Sequence, residues 1–172
     1  MEQVFKQSKS LVLVLENPNY IINIGHVIRN VNAFGVDALL VVDGQKRLED
    51  DLEVLRNRKS LLKHSASAIK HTIVKRFDRT EDCIAFLKEY QYQSVVTSPH
   101  IKGQNNVQLH KANYSVSKMA LWFGNESKGI SGVAVKACDF CINIKMRGQV
   151  ESLNLSTSTG VVLYEITKQR NA

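Results

Sequence analysis

Three segments of this chain gather side chains able to hold a ligand or move a proton. Asn23-Ile24-Gly25-His26-Val27-Ile28-Arg29-Asn30 carries amides, an imidazole and a guanidinium on what reads as one helix. Gly124-Asn125-Glu126-Ser127-Lys128-Gly129-Ile130-Ser131 sets a carboxylate and an ammonium between two glycines. Ser152-Leu153-Asn154-Leu155-Ser156-Thr157-Ser158-Thr159-Gly160 is small and polar where a helix should begin.

Each segment also has a plain structural reading. Ile28 and Val31 flank Arg29 on the buried side, and periodicity alone makes it a surface residue pointing along the sheet edge. Gly124 and Gly129 suit an ordinary turn between strand and helix, although Glu126 and Lys128 give that turn an unusual polar density. Ser152 or Asn154 can serve as an N-cap. A cap needs one such residue, whereas this helix start holds six small polar ones. Small residues allow backbones to approach closely, and free N–H groups at a helix start can hold a ligand. The capping and binding readings both stand.

Other chemistries are excluded. No Gly-x-Gly-x-x-Gly follows the first apolar run, so the dinucleotide fingerprint is missing. The glycines and final serine of residues 124–131 have P-loop spacing, but Ile130 stands where the phosphate-binding lysine is required, which rules out a nucleotide hydrolase of that type. The three cysteines, Cys83, Cys138 and Cys141, are too few for a disulfide framework. Cys138 and Cys141 have C-x-x-C spacing but no second ligand pair for zinc, and they sit among strand-like residues. Buried structural thiols are the expectation, with no metal site.

Length and charge narrow the partners. The 172 residues suit a single domain over 1–172, with no repeat, linker or appended RNA-binding domain. The net charge of +7, from 23 Lys+Arg against 16 Asp+Glu, favours a polyanionic partner. The first residues lack the basic-then-apolar layout of a signal peptide, and no apolar run approaches the ~20 residues that span a bilayer. A cytoplasmic location and no membrane partner are expected.

The elements that must position these segments follow from hydrophobic pattern. Residues 11–15, 38–42, 72–75, 94–97, 119–123 and 140–144 read as strands. Residues 21–34, 80–90, 131–137 and 153–170 read as helices, with Thr80 and Ser131 as caps. Residues 46–63 read as an irregular helix, acidic first and basic last, an order that suits the helix dipole. Residues 100–117 read as mostly loop. Apolar strands alternating with helices predict an α/β fold, a mostly parallel sheet with helices on both faces. Ligands in such sheets bind beyond the carboxyl ends of the strands, where the three polar segments lie.

Taken together, the three segments resemble the ordered motifs of the SPOUT superfamily RNA methyltransferases of the TrmH (SpoU) type. The first match is residues 23–30 with Ala33-Phe34-Gly35. The second is Phe123 with residues 124–131. The third is Ile144-Lys145-Met146-Arg147-Gly148-Gln149-Val150-Glu151 with residues 152–156. The resemblance covers nearly the whole chain. It implies an α/β knot, a deep trefoil in which the C-terminal segment threads a loop, although knots are rare. It implies S-adenosyl-L-methionine as cofactor and methyl transfer to a ribose 2′-hydroxyl of RNA. The favoured substrate is tRNA, with ribosomal RNA as the alternative and a non-catalytic RNA-binding protein as the runner-up. It also implies a homodimer whose active site is completed across the interface.

By the same resemblance, Arg29, Asn23, Glu126, Ser152 and Asn154 match catalytic-site positions, and Thr97, Gly124, Ile144, Met146 and Leu153 match the cofactor pocket. Lys145 stands where many relatives carry proline, and Arg147 and His26 are further departures that bear on loop shape and substrate. The body of the domain must grip RNA, and Arg56, Arg58, Lys59 and Lys63 are the candidate cluster, with a solvated helix face as the plain reading. Arginine has a pKa above ~12 and is a poor base. Its fork of donors can instead orient a hydroxyl and a neighbouring phosphate. The expectation is that Arg29→Ala abolishes methyl transfer while cofactor binding persists; unchanged turnover at saturating RNA would remove Arg29 from that role.

Overall fold

The computed structural model describes residues 2–100 and 105–170. Among them, seven strands form one sheet in the order β3-β2-β1-β6-β4-β7-β5, and every pairing is parallel. The strands are β1 (Ser10–Glu16), β2 (Ala38–Val42), β3 (Val74–Phe77), β4 (Gln93–Thr97), β5 (Asn106–Gln108), β6 (Lys118–Phe123) and β7 (Phe140–Asn143). The helices are α1 (Ile21–Ala33), α2 (Leu52–Asn57), α3 (Lys59–His64), α4 (Thr80–Glu89), α5 (Gly132–Ala137) and α6 (Leu155–Arg170).

The apolar runs of β1 and β6 are continuous because both faces of the sheet are covered. Side chains alternate with a period of two. Leu11, Leu13 and Leu15 of β1 and Met119, Leu121 and Phe123 of β6 therefore enter the layer of α1, α3 and α6. Val12, Val14, Ala120 and Trp122 enter the opposite layer with Cys83 and Leu87 of α4 and Ala134 of α5. The α/β expectation holds, and the sheet is wholly parallel among the described residues.

Local departures have physical causes. The irregular helix over 46–63 is two short helices, because Arg58 turns extended (φ −63°, ψ 116°) between α2 and α3. Asp51 starts α2 by accepting from the N–H groups of Glu53 and Val54 at 2.8 and 3.0 Å. Residues 72–75 shift to β3 because the Thr72 hydroxyl donates back to the Ala68 carbonyl at 2.9 Å, closing a 3-10 turn. Part of the predicted loop over 100–117 is the edge strand β5 and a 3-10 turn, Leu109–Lys111; its residues 101–104 lie outside the described residues. A three-residue strand is too short to show a period.

The cysteines are free. Cys138 and Cys141 stand 3.7 Å apart at sulfur, and burial, with Cys141 alongside, pushes the Cys138 thiol up to about 12. Such a thiol is almost wholly protonated at neutral pH and a weak nucleophile. No described helix is long and apolar enough to cross a membrane, and the described residues hold no metal-binding cluster of three or more His, Cys, Asp or Glu.

Two polar ties close the layers. At the far end of α6, the Arg170 guanidinium donates to the carbonyls of Tyr114, Val116 and Ser117 at 3.2, 2.5 and 3.0 Å, just ahead of β6. At the carboxyl end of β1, Glu16 is 2% exposed. It accepts from the hydroxyls of Thr80 and Ser131, both at 2.6 Å, and from the Ser131 N–H at 2.8 Å. Thr80 is thereby the first residue of α4 and not its cap; Arg79 stands at the cap position. Ser131 does cap α5, accepting from the Ala134 N–H at 3.1 Å. The Glu16 carboxylate thus occupies the start of α5, where a P-loop would hold phosphate. Glu16→Ala leaves these half-buried donors short of a partner and is expected to lower stability by about 2 kcal/mol, read as a lower urea midpoint at unchanged m-value.

Candidate active site

A cavity of about 810 Å³ opens beyond the carboxyl ends of β4, β6 and β7. Thr97 ends β4, Phe123 and Gly124 follow β6, and Ile142 to Ile144 complete β7 and its exit. Residues 151–154 and the first turns of α6 form one wall, and the start of α1 forms another. The size suits a small organic molecule.

Nine of the ten residues matched to catalytic and cofactor positions converge here. Thr97, Gly124, Ile144, Met146 and Leu153 line the cavity, as do Asn23, Glu126, Ser152 and Asn154. Arg29 does not. It is exposed on the outer side of α1, with no hydrogen-bond or ion-pair partner among the described residues. The basic cluster lies on α2 and α3, away from the cavity lining. Arg58 pairs with Glu49 at 3.2 Å and Arg56 with Glu53 at 3.8 Å, while Lys59 and Lys63 are exposed.

Two loops interlock along one side of the cavity. Because β1 and β6 are neighbours in register, residues 17–20 and 124–130 emerge side by side. Asn19 and Asn125 exchange amide hydrogen bonds at 3.1 and 3.0 Å. Asn125 also donates to the Asn17 carbonyl at 2.6 Å and accepts from the N–H groups of Ser127 and Lys128, each at 2.9 Å. Its backbone pairs with Gly129 at 3.0 and 2.8 Å, pinching the loop shut. The Glu126 carboxylate is then gripped at both oxygens: the Asn23 amide donates to Oε1 at 2.8 Å and the Asn19 N–H to Oε2 at 2.6 Å. An acceptor held from two elements has a fixed direction, which suits orienting a ligand hydroxyl or cation.

Gly124 is required by that pinch. A Cβ there would stand 2.2 Å from the Gly129 carbonyl carbon and the Ile130 nitrogen. Gly129 has φ +69°, a left-handed conformation that glycine adopts without penalty. The Thr97 hydroxyl is spent on structure, donating to the Trp122 carbonyl at 2.7 Å, so this residue joins β4 to β6 at the cavity edge.

The polar run before α6 divides into three jobs. The Asn154 side chain caps the helix, accepting from the N–H and hydroxyl of Ser156 at 2.9 and 2.7 Å, and α6 accordingly starts at Leu155 and not 153. Thr159, wholly buried, and Gly160 meet α1: the Asn30 amide donates to the Ser156 carbonyl and the Thr159 hydroxyl at 2.8 and 3.0 Å. Ser152, Asn154 and Ser158 face the cavity. The sequence assigned no role to Tyr20, Asn19 or Asn125; the signal for the first two was the Asn17-Pro18-Asn19 break after an apolar strand, and Asn125 stood unassigned inside the second motif. Gly124→Ala is expected to cost about 2 kcal/mol or more in stability and to weaken ligand binding in the cavity. Gly132→Ala, where an added Cβ meets nothing within 4 Å, should leave both nearly unchanged; melting and calorimetry separate the two outcomes.

The fold and sequence are similar to those of known proteins. An uncharacterized tRNA/rRNA methyltransferase of Borreliella burgdorferi is 30% identical over 171 residues, 99% of this chain and 69% of that protein. The crystal structure of an RNA 2′-O ribose methyltransferase superposes with a TM-score of 0.81 at 25% identity, over 96% of this chain and 58% of the other. The SpoU methyltransferase AviRb from Streptomyces viridochromogenes, in complex with the cofactor AdoMet, gives a TM-score of 0.81 at 20% identity, over 99% and 64%. The chain thus spans between 58% and 69% of the lengths of these three proteins. The SpoU rRNA Methylase family profile matches residues 10–164, and the chain belongs to that family.

Proposed function

We propose that this chain transfers a methyl group from S-adenosyl-L-methionine to a ribose 2′-hydroxyl of RNA, with tRNA as the substrate. The observation that carries this reading is the convergence of the Asn23–Glu126 pair and the residues matched to cofactor positions on one cavity, from four separated segments. Family membership and the similarity to a 2′-O ribose methyltransferase support it. The family's description as rRNA methylases favours ribosomal RNA as the second reading.

The cavity fits the cofactor. Ile142, Ile144 and Leu153 offer apolar surface for a nucleoside ring, and Gly124 keeps a backbone edge open where a side chain could not fit. When bound, the cofactor supplies an electrophilic methyl group. The protein's part is orientation, which is worth many orders of magnitude in a direct displacement. Glu126, fixed by Asn23 and Asn19, holds a polar direction at the mouth of the cavity. Arg29 orients the attacking hydroxyl and a neighbouring phosphate through its fork of donors, and the phosphate receives the proton.

In this reading Arg29 acts in the partner's site of a homodimer. It lies outside its own cavity on the exposed side of α1, and Ile22 at the cavity edge of the same helix is 47% exposed. The adjoining α6 exposes Val161 and Tyr164 at 41% and 62%. Apolar residues on two packed helices suit burial against a second copy. The trefoil knot belongs to the same reading, and the path of the chain supports it: β7 is inserted between β4 and β5, and the chain then returns through residues 144–154 to set α6 against α1.

The test is incubation with methyl-labelled cofactor and, separately, total tRNA and ribosomal RNA. The expected result is label in tRNA at a ribose, marked by resistance of the next phosphodiester to alkali. Label on a base would overturn the 2′-O assignment, and label in ribosomal RNA alone would select the second substrate. Absence of cofactor binding in calorimetry would favour a non-catalytic RNA-binding protein.

A further inference from the structure

Tyr20 lines the cavity mouth and is nonetheless 59% exposed, with no hydrogen bond to its hydroxyl among the described residues. Its backbone is firmly held. It is the N-cap residue of α1 (φ −119°, ψ 123°), and its carbonyl accepts from the N–H groups of Asn23 and Ile24 at 3.0 and 3.2 Å. The residue before it, Asn19, and the helix residue Asn23 are the two that grip Glu126. A rigid root thus carries an unpartnered aromatic ring, in sequence between the two residues that hold the carboxylate, and both line one cavity. Two residues after Glu126, Lys128 also lines the cavity, is exposed, and has no side-chain partner among the described residues.

A flat ring, a carboxylate and a free ammonium on the lining of one cavity match the parts of a nucleotide: base, ribose hydroxyl and phosphate. Single-stranded RNA is gripped by stacking unstacked bases on aromatic rings and by cations on its phosphates. Resting on the function proposed above, we propose that Tyr20 is the stacking platform for a nucleobase of the substrate RNA at or next to the modified ribose, with Lys128 taking an adjacent phosphate. Tyr20 is a positioning residue: it sets where the ribose lies and takes no part in the bond changes.

The test measures RNA affinity and KM, cofactor affinity and sedimentation for the wild type, Tyr20→Ala, Tyr20→Phe and Lys128→Gln, with whichever of tRNA or ribosomal RNA accepts label. Loss of the ring is expected to raise the RNA Kd and KM about 5- to 100-fold. The cofactor Kd and the sedimentation coefficient should not change, and Tyr20→Phe should restore most of the loss because stacking needs the ring and not the hydroxyl. Lys128→Gln should reduce the salt dependence of RNA binding by about one phosphate contact. An unchanged KM in Tyr20→Ala overturns the proposal. So does a loss of affinity that accompanies a smaller sedimentation coefficient, since the ring would then be a subunit contact. A wild type that neither binds nor methylates RNA overturns the underlying function as well, which separates the two failures.

Discussion

The reciprocal amide pair of Asn19 and Asn125 is the contact on which the site depends. Asn125 is 8% exposed, and a buried amide without partners is costly. Each amide here finds its partner on the other loop, so neither loop can move without leaving polar groups unpaired. The pair holds the turn after β6 against the segment after β1, and this fixes Glu126 between Asn19 and Asn23. A carboxylate on a free turn would sample many directions; this one has a single direction set by two elements.

The contact exists because of the sheet. Strands β1 and β6 are far apart in sequence yet adjacent in register, from Ser10 beside Lys118 to Leu15 beside Phe123. Their apolar side chains alternate into two separate layers, so a shift of one residue would exchange the layers and misalign the loops. Glu16, the last residue of β1, fixes the same end of the sheet to α4 and α5. Core packing and site geometry are thus set by one register, and polar groups at the strand ends convert it into the placement of a carboxylate.

Much of the fold was legible in the sequence because buried parallel strands are apolar at every position. Residues 38–42 and 119–123 show it most plainly. The three-residue β5 and the break at Arg58 were not legible, since the first is too short for a period and the second is a backbone turn inside a charged run. In the site, the motif resemblance pointed to residues that do meet in one cavity. Asn19 and Tyr20 were hidden because their surroundings exist only once β1 and β6 pair. Residues 152–160 looked uniform in sequence, and only the packing of Asn30 against Thr159 separates interhelix contact from cavity wall. Arg29 read as a surface residue by periodicity, and within the chain it is one.

The docking of α6 has a consequence for synthesis. The helix α1 is made before α6, yet the face that carries Asn30 is completed only by Ser156, Thr159 and Gly160. Arg170 then ties α6 to the carbonyls that precede β6, a strand that itself inserts between β1 and β4. A nascent chain therefore carries α1 and the face of β1 made by Leu11, Leu13 and Leu15 without their final cover until α6 has been made. Folding of this kind is dominated by non-local closure and is slow. Until α6 docks, that face is open to holdase chaperones and to aggregation.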